Sequence, residues 1–134
     1  MATVESLVYA RLSAFAGLTA LVSTRIYPAG KTPQPVTIPY VTYQRIDGFR
    51  VRHLGGPSGL AQPIIQVNSF SNVSPEAVRA IADQVRYALD GYASGAIKAS
   101  THQGDRDLPP DMTTTPPILG LAADYRVTHT EATS

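Results

Sequence analysis

Leu119-Gly120-Leu121-Ala122-Ala123-Asp124-Tyr125-Arg126-Val127-Thr128-His129 is the most regular stretch of this 134-residue chain. A strand turns successive side chains to opposite faces. Leu119, Leu121, Ala123, Tyr125 and Val127 therefore face a core, while Ala122, Asp124, Arg126 and Thr128 face out. That alternation belongs to a half-buried strand of an antiparallel sheet. The layer that covers such a face is written at Ser74-Pro75-Glu76. Ser74 suits an N-cap, Pro75 the first helical position, and Glu76 the positive end of the helix. Val78, Ile81, Ala82, Val85 and Leu89 then recur at helical spacing as one buried stripe, with Arg79 and Asp83 on the wet side. Asp90-Gly91 supplies the stop, because glycine readily takes the positive φ of a helix C-terminus.

Outward from these two elements the pattern repeats. Val4, Leu7, Val8, Leu12 and Phe15 mark an N-terminal helix capped by Thr3, with Gly17 expected to end it and a short helical turn at 18–22. Arg25-Ile26-Tyr27-Pro28 predicts a brief strand, and the prolines and glycine of 29–37 predict loop. Ile38-Pro39-Tyr40-Val41-Thr42-Tyr43-Gln44-Arg45-Ile46 reads as a strand, with Tyr40, Thr42, Gln44 and Ile46 on one face and Val41, Tyr43 and Arg45 on the other. Residues 63–70 form a second strand, with Ile65 and Val67 sharing a face.

Between these two strands, residues 47–62 carry Arg50, Arg52 and His53 beside Gly55, Gly56 and Gly59. Their length predicts an extended arm, and strand alternation would put Arg50 and Arg52 on one side of it. Residues 96–102 predict a third strand. Residues 103–117, with Asp105, Arg106, Asp107 and four prolines, predict a second long loop, and residues 130–134 a frayed tail. The fold expected is a single α+β domain over residues 1–134. It has a mostly antiparallel sheet of about four strands packed against two amphipathic helices, with two long loops or arms.

Composition narrows function by exclusion. Apolar residues make up 43% and charged residues 16%, so charge-driven disorder is excluded. The net charge of +1 makes the chain no magnet for nucleic acid or an anionic membrane. Nine of its eleven cations are Arg, which suits planar contacts at protein interfaces. With no cysteine, disulfides, thiolate metal sites and a cysteine nucleophile are all ruled out. No apolar run reaches the roughly 18 residues that a spanning helix needs. Met-Ala-Thr-Val-Glu lacks the cationic start of a secretory signal.

Reactive constellations are not found either. His53, His102 and His129 stand at no metal-ligand spacing, and Arg106 between Asp105 and Asp107 would weaken cation binding there. No nucleophile elbow or phosphate-binding loop is present. The reading is therefore no catalytic, metal or cofactor site and no cofactor. The residues expected to carry contacts are Arg50, Arg52 and His53 on the arm and Asp105, Arg106 and Asp107 in the second loop.

The ordered set of landmarks resembles a known family. Ala20-Leu21-Val22-Ser23-Thr24-Arg25-Ile26-Tyr27-Pro28 and the strand at 38–46 come first. Ile65-Gln66-Val67-Asn68-Ser69-Phe70, the helix through Ala82-Asp83-Gln84-Val85-Arg86-Tyr87-Ala88-Leu89-Asp90-Gly91, and Asp124-Tyr125-Arg126-Val127-Thr128-His129 follow. Together they resemble the tail completion and tail terminator proteins of long-tailed phages and gene transfer agents, over about residues 4 to 129. The resemblance implies an α+β subunit of a homo-oligomeric, hexameric ring at the head-proximal end of the tail. Such a ring ends tube polymerisation and joins the tail tube protein to the head connector or a neck protein. DNA passes through its channel without specific binding. It also implies a virion protein made in the host bacterial cytoplasm, with no membrane partner.

Three other readings compete. A neck or head-closure ring protein would sit at the same junction. A nucleic-acid-binding module would use Arg50, Arg52 and His53. A small hydrolase would use His102 or His129 with a nearby aspartate.

Overall fold

A computed structural model of the chain describes residues 3–48, 50–53 and 56–130. Helices α1 (Val4–Ala14) and α2 (Ala16–Val22) lead into β1 (Ile26–Pro28) and β2 (Tyr40–Asp47). Then come β3 (Arg50–His53), β4 (Gly56–Ala61), β5 (Ile64–Ser71), α3 (Pro75–Leu89), β6 (Ile97–Asp111) and β7 (Ile118–Thr130).

Local chemistry sets the helix ends. The Thr3 hydroxyl accepts from the Ser6 N–H at 3.1 Å, and the Ser74 hydroxyl accepts from the Ala77 N–H at 3.1 Å. Gly91 follows α3 at φ +78°, as expected from Asp90-Gly91. The first helix ends differently. It stops at Ala14, Phe15 forms the break in extended conformation, and Gly17 lies inside α2. There a side chain would run into the Gln84 amide of α3 and the Phe15 ring, so Gly17 serves close packing instead of termination.

The sheet joins two long hairpins. Strand β2 pairs antiparallel with β5, and β3 continues β2 while β4 leads back into β5. Strands β4 and β5 keep a single register against β7, Ala61 opposite His129 and Ile64 opposite Arg126. The Val127 N–H donates to the Pro63 carbonyl at 3.0 Å and bridges the gap. The second hairpin is β6–β7. Strand β1 adds at the β2 edge in parallel, so the sheet is mixed.

The α+β class and the packing of a largely antiparallel sheet on helices stand as expected. Among the described residues the sheet has seven strands instead of about four: the arm at 47–62 is itself two strands, and the segment at 103–111 lengthens the strand expected at 96–102. Residues 103–111 are the clearest correction. Their glycine, charges and Pro109-Pro110 read as loop, yet β6 is an edge strand. An edge strand has one side free of ladder partners, so it tolerates proline and is protected by charge. Register shifts between His102 and Gly104 and between Leu108 and Asp111 absorb the irregular residues. Only 112–117 remain as connection. The Asp111 carboxylate accepts the Thr113 hydroxyl at 2.6 Å and its N–H at 3.0 Å there, which holds its pKa below the usual carboxylate range. Thr130, expected in the tail, closes β7; residues 131–134 lie outside the described residues, as do Phe49, Leu54 and Gly55 of the arm.

The core lies between one sheet face and the helices. Val41, Tyr43, Ile65, Val67, Leu121, Ala123, Tyr125 and Val127 meet Val8, Leu12, Val78, Val85 and Leu89. Ala122, expected to face out, is buried: Asn68 and Arg106 stand opposite it on either side, and longer neighbours bury a small residue even on a helix-free face.

Candidate assembly surfaces

The first surface is the β3–β4 hairpin. It extends the β2–β5 pair past the end of β7, which it touches through Leu60 opposite Thr130 and Ala61 opposite His129. Strand β3 carries Arg50, Arg52 and His53. Arg50 stands opposite Ala61 and Arg52 opposite Pro57, so β4 bulges between them.

The second surface is where sequence placed Asp105, Arg106 and Asp107. They do not form one cluster. Strand alternation sends Arg106 to the helix-free face, where its guanidinium meets the Asp124 carboxylate at 3.2 Å. Asp105 and Asp107 turn the other way. Asp105 lies 3.4 Å from His102 Nε2, and the His102 ring meets the edge of Tyr125 at 5.3 Å between centroids. The His102 backbone N–H donates to Asp90 Oδ1 at 3.0 Å.

Asp107 belongs to a groove that sequence reasoning missed. An open cavity of about 580 Å³ runs between the first half of α3 and the β6–β7 edge. Val78, Leu108, Pro110 and Leu119 supply apolar lining. Glu76, Asp83 and Asp107 rim it, with Arg79 as the one cation among its described lining residues. Arg79 and Asp83 were visible as the wet side of a helix, but only the chain crossing from β5 through α3 to β6 brings them to Asp107. Groove and hairpin occupy opposite ends of the sheet. Gly120 pairs with Leu108 at one end and His129 with Ala61 at the other, roughly 30 Å apart at the usual strand rise.

The third surface is the helix-free sheet face. Gln44 Nε2 donates to Gln66 Oε1 at 3.0 Å, and Asn68 Nδ2 to Thr42 Oγ1 at 3.3 Å. These cross-strand pairs make a polar band across β2 and β5. At its end Tyr40 stacks on Phe70 with centroids 4.8 Å apart, and Tyr27 meets Tyr40 at a 49° tilt with centroids 6.4 Å apart.

His129 is buried and its Nδ1–H donates to the Thr130 carbonyl at 3.0 Å, which uses the imidazole structurally. Among the described residues no three of His, Asp and Glu stand together as metal ligands, and no single helix is long and apolar enough to cross a membrane.

Comparison with known proteins adds a family. A family model described as tail completion protein gp17 matches residues 6–109. No curated protein matches. Among solved structures, a chain from the virion of a native gene transfer agent particle superposes with a TM-score of 0.74 at 20% identity, covering 96% of this chain and 95% of that one. At that identity the likeness shows a shared fold.

Proposed function

The chain belongs to the tail completion protein gp17 family, a family of structural virion proteins, and from that premise we propose that it closes the head-proximal end of a phage-like tail tube as a ring. The ring ends tube polymerisation at its final length and offers the head connector a docking face. The family match over residues 6–109 carries this reading, and the fold shared with a gene transfer agent virion chain supports it.

Physical features agree. A ring subunit needs two different surfaces that meet head to tail and close by rotation. The hairpin and the groove lie at opposite ends of the sheet and differ in charge. The contact residues proposed are Arg50, Arg52 and His53 on the hairpin and Asp105, Arg106 and Asp107 on β6. A near-neutral net charge suits a channel through which DNA slides without being gripped. The subunit acts by shape, with no bond made or broken. Six copies, the tail tube protein and a connector or neck protein are the partners of this reading.

Purified chain mixed with tail tubes tests it. Rings of uniform size on one end of each tube, and tubes that no longer elongate, are expected. A chain that stays monomeric both alone and with tubes overturns the reading. Imaging of whole particles should place the ring against the tube; a ring seated only on the capsid side makes it a head-closure protein instead.

A further inference from the structure

The fold displays two complementary surfaces that a single chain cannot bring together, and we infer that the β3–β4 hairpin of one copy seats in the α3–β6 groove of the next. The inference rests on the ring reading and specifies its subunit contact.

Charge is the first argument. Strand β3 brings Arg50, Arg52 and His53 in four residues, while β4, Gly56 to Ala61, carries no charged residue. The described lining of the groove presents the opposite sign: the carboxylates of Glu76, Asp107 and Asp83, the last also 3.6 Å from the Arg86 guanidinium, against the guanidinium of Arg79. An acidic rim repels a nucleic-acid backbone and attracts a cationic segment.

Position is the second. The hairpin continues past the far end of β7, roughly 30 Å from the groove, so it cannot fill the groove of its own chain. A second copy can bring its hairpin there. The contact uses different patches on the two partners, so it is heterologous, and repeated contacts of that kind generate closed rings or open filaments.

Size is the third. From Gly56 to Gly59 the hairpin reaches roughly 13 Å beyond its last pairing with β7. The helix wall of the groove, Pro75 to Asp83, is roughly 12 Å long. Small residues of β4 suit the apolar floor at Val78 and Leu119, and the β3 arginines suit the acidic rim.

Charge reversal and cross-linking test the seat. One chain carries Arg50→Glu with Arg52→Glu, a second Glu76→Lys with Asp107→Lys, and a third all four changes. Each is compared with the unmodified chain, alone and on tail tubes, by sedimentation, and urea unfolding checks that each monomer folds. Either reversal alone is expected to weaken assembly by about tenfold or more, since like charges then face each other. The chain with all four changes is expected to return to within about threefold of the unmodified one. Because the chain has no cysteine, Arg52→Cys together with Glu76→Cys adds an independent readout: mild oxidation of assembled rings should give a ladder of covalent oligomers. Rings that form without any ladder, and without rescue by the combined reversal, overturn this contact and leave the ring standing. An unmodified chain that never assembles removes both.

Discussion

Phe70 lies across Gly120, its directly opposed partner on β7: a Cβ placed at Gly120 would stand 2.9 Å from Phe70 Cε1 and 3.1 Å from Leu108 Cδ1. Strand interiors disfavour glycine, so the missing side chain has a packing reason, with an aromatic ring covering the bare backbone. Phe70 in turn stacks on Tyr40 at an interplanar angle of 22°. One absent methyl group thus organises the helix-free face at the groove end of the sheet.

Gly120→Ala should therefore destabilise the chain by about 1–3 kcal/mol, the usual cost of overpacking. Urea midpoints measure it. Adding Phe70→Leu should recover part of the loss; a single variant as stable as the parent would show that Phe70 swings away freely.

Arg11 ties α1 to the end of α3. Its Nε–H donates to the Ala88 carbonyl at 2.7 Å, and its guanidinium lies 4.1 Å from the Tyr92 ring centroid. Arg11→Ala should cost about 1.5–3 kcal/mol. Arg11→Lys should restore less than half of that, because an ammonium lacks the flat guanidinium that bonds and stacks together.

Tyr125 is fully buried, and its hydroxyl has no hydrogen-bond partner among the described residues. Burial pushes its phenol above the ordinary value of 10.0, since the phenolate would be cut off from water. The sign follows from linkage. Below about pH 10 both states keep the proton and stability is flat. Above it the unfolded phenol ionises first, and stability falls as pH rises toward the folded value. Tyr40 and Tyr43 are raised for the same first cause and add to this alkaline loss. Tyr125→Phe should leave stability at pH 7 unchanged or higher by up to about 1 kcal/mol, because it deletes an unsatisfied polar group. It should also flatten the decline above pH 10, measured by unfolding at a series of pH values.

Ser74 caps the helix that forms one wall of the groove. Ser74→Ala should cost about 1 kcal/mol and Ser74→Gly only a few tenths. Circular dichroism during thermal unfolding reads both; equal losses would mean the hydroxyl contributes nothing.

The Arg106–Asp124 pair is partly exposed, with side-chain exposures of 53% and 24%. Solvent screens such pairs, so Arg106→Ala should change monomer stability by less than about 1 kcal/mol. A drop in ring yield without a shift in the unfolding curve would assign Arg106 to a contact between subunits.

Much of this molecule was legible from residue order alone. Thr3 and Ser74 announced helix starts, Gly91 a helix end, and the alternation at 119–127 named the core face, because caps, positive φ and periodicity are local properties that need no partner. Residues 103–111 were not legible. Strand β6 takes its order from hydrogen bonds to β7, a non-local pairing that outweighs a sequence rich in proline and charge. The same pairing parted Arg106 from Asp105 and Asp107, because a two-residue side-chain period sends neighbours to opposite faces. Only the tertiary structure set Glu76 and Asp83 of α3 across from Asp107 of β6, since charges distant along a chain share a groove only after the elements between them have packed.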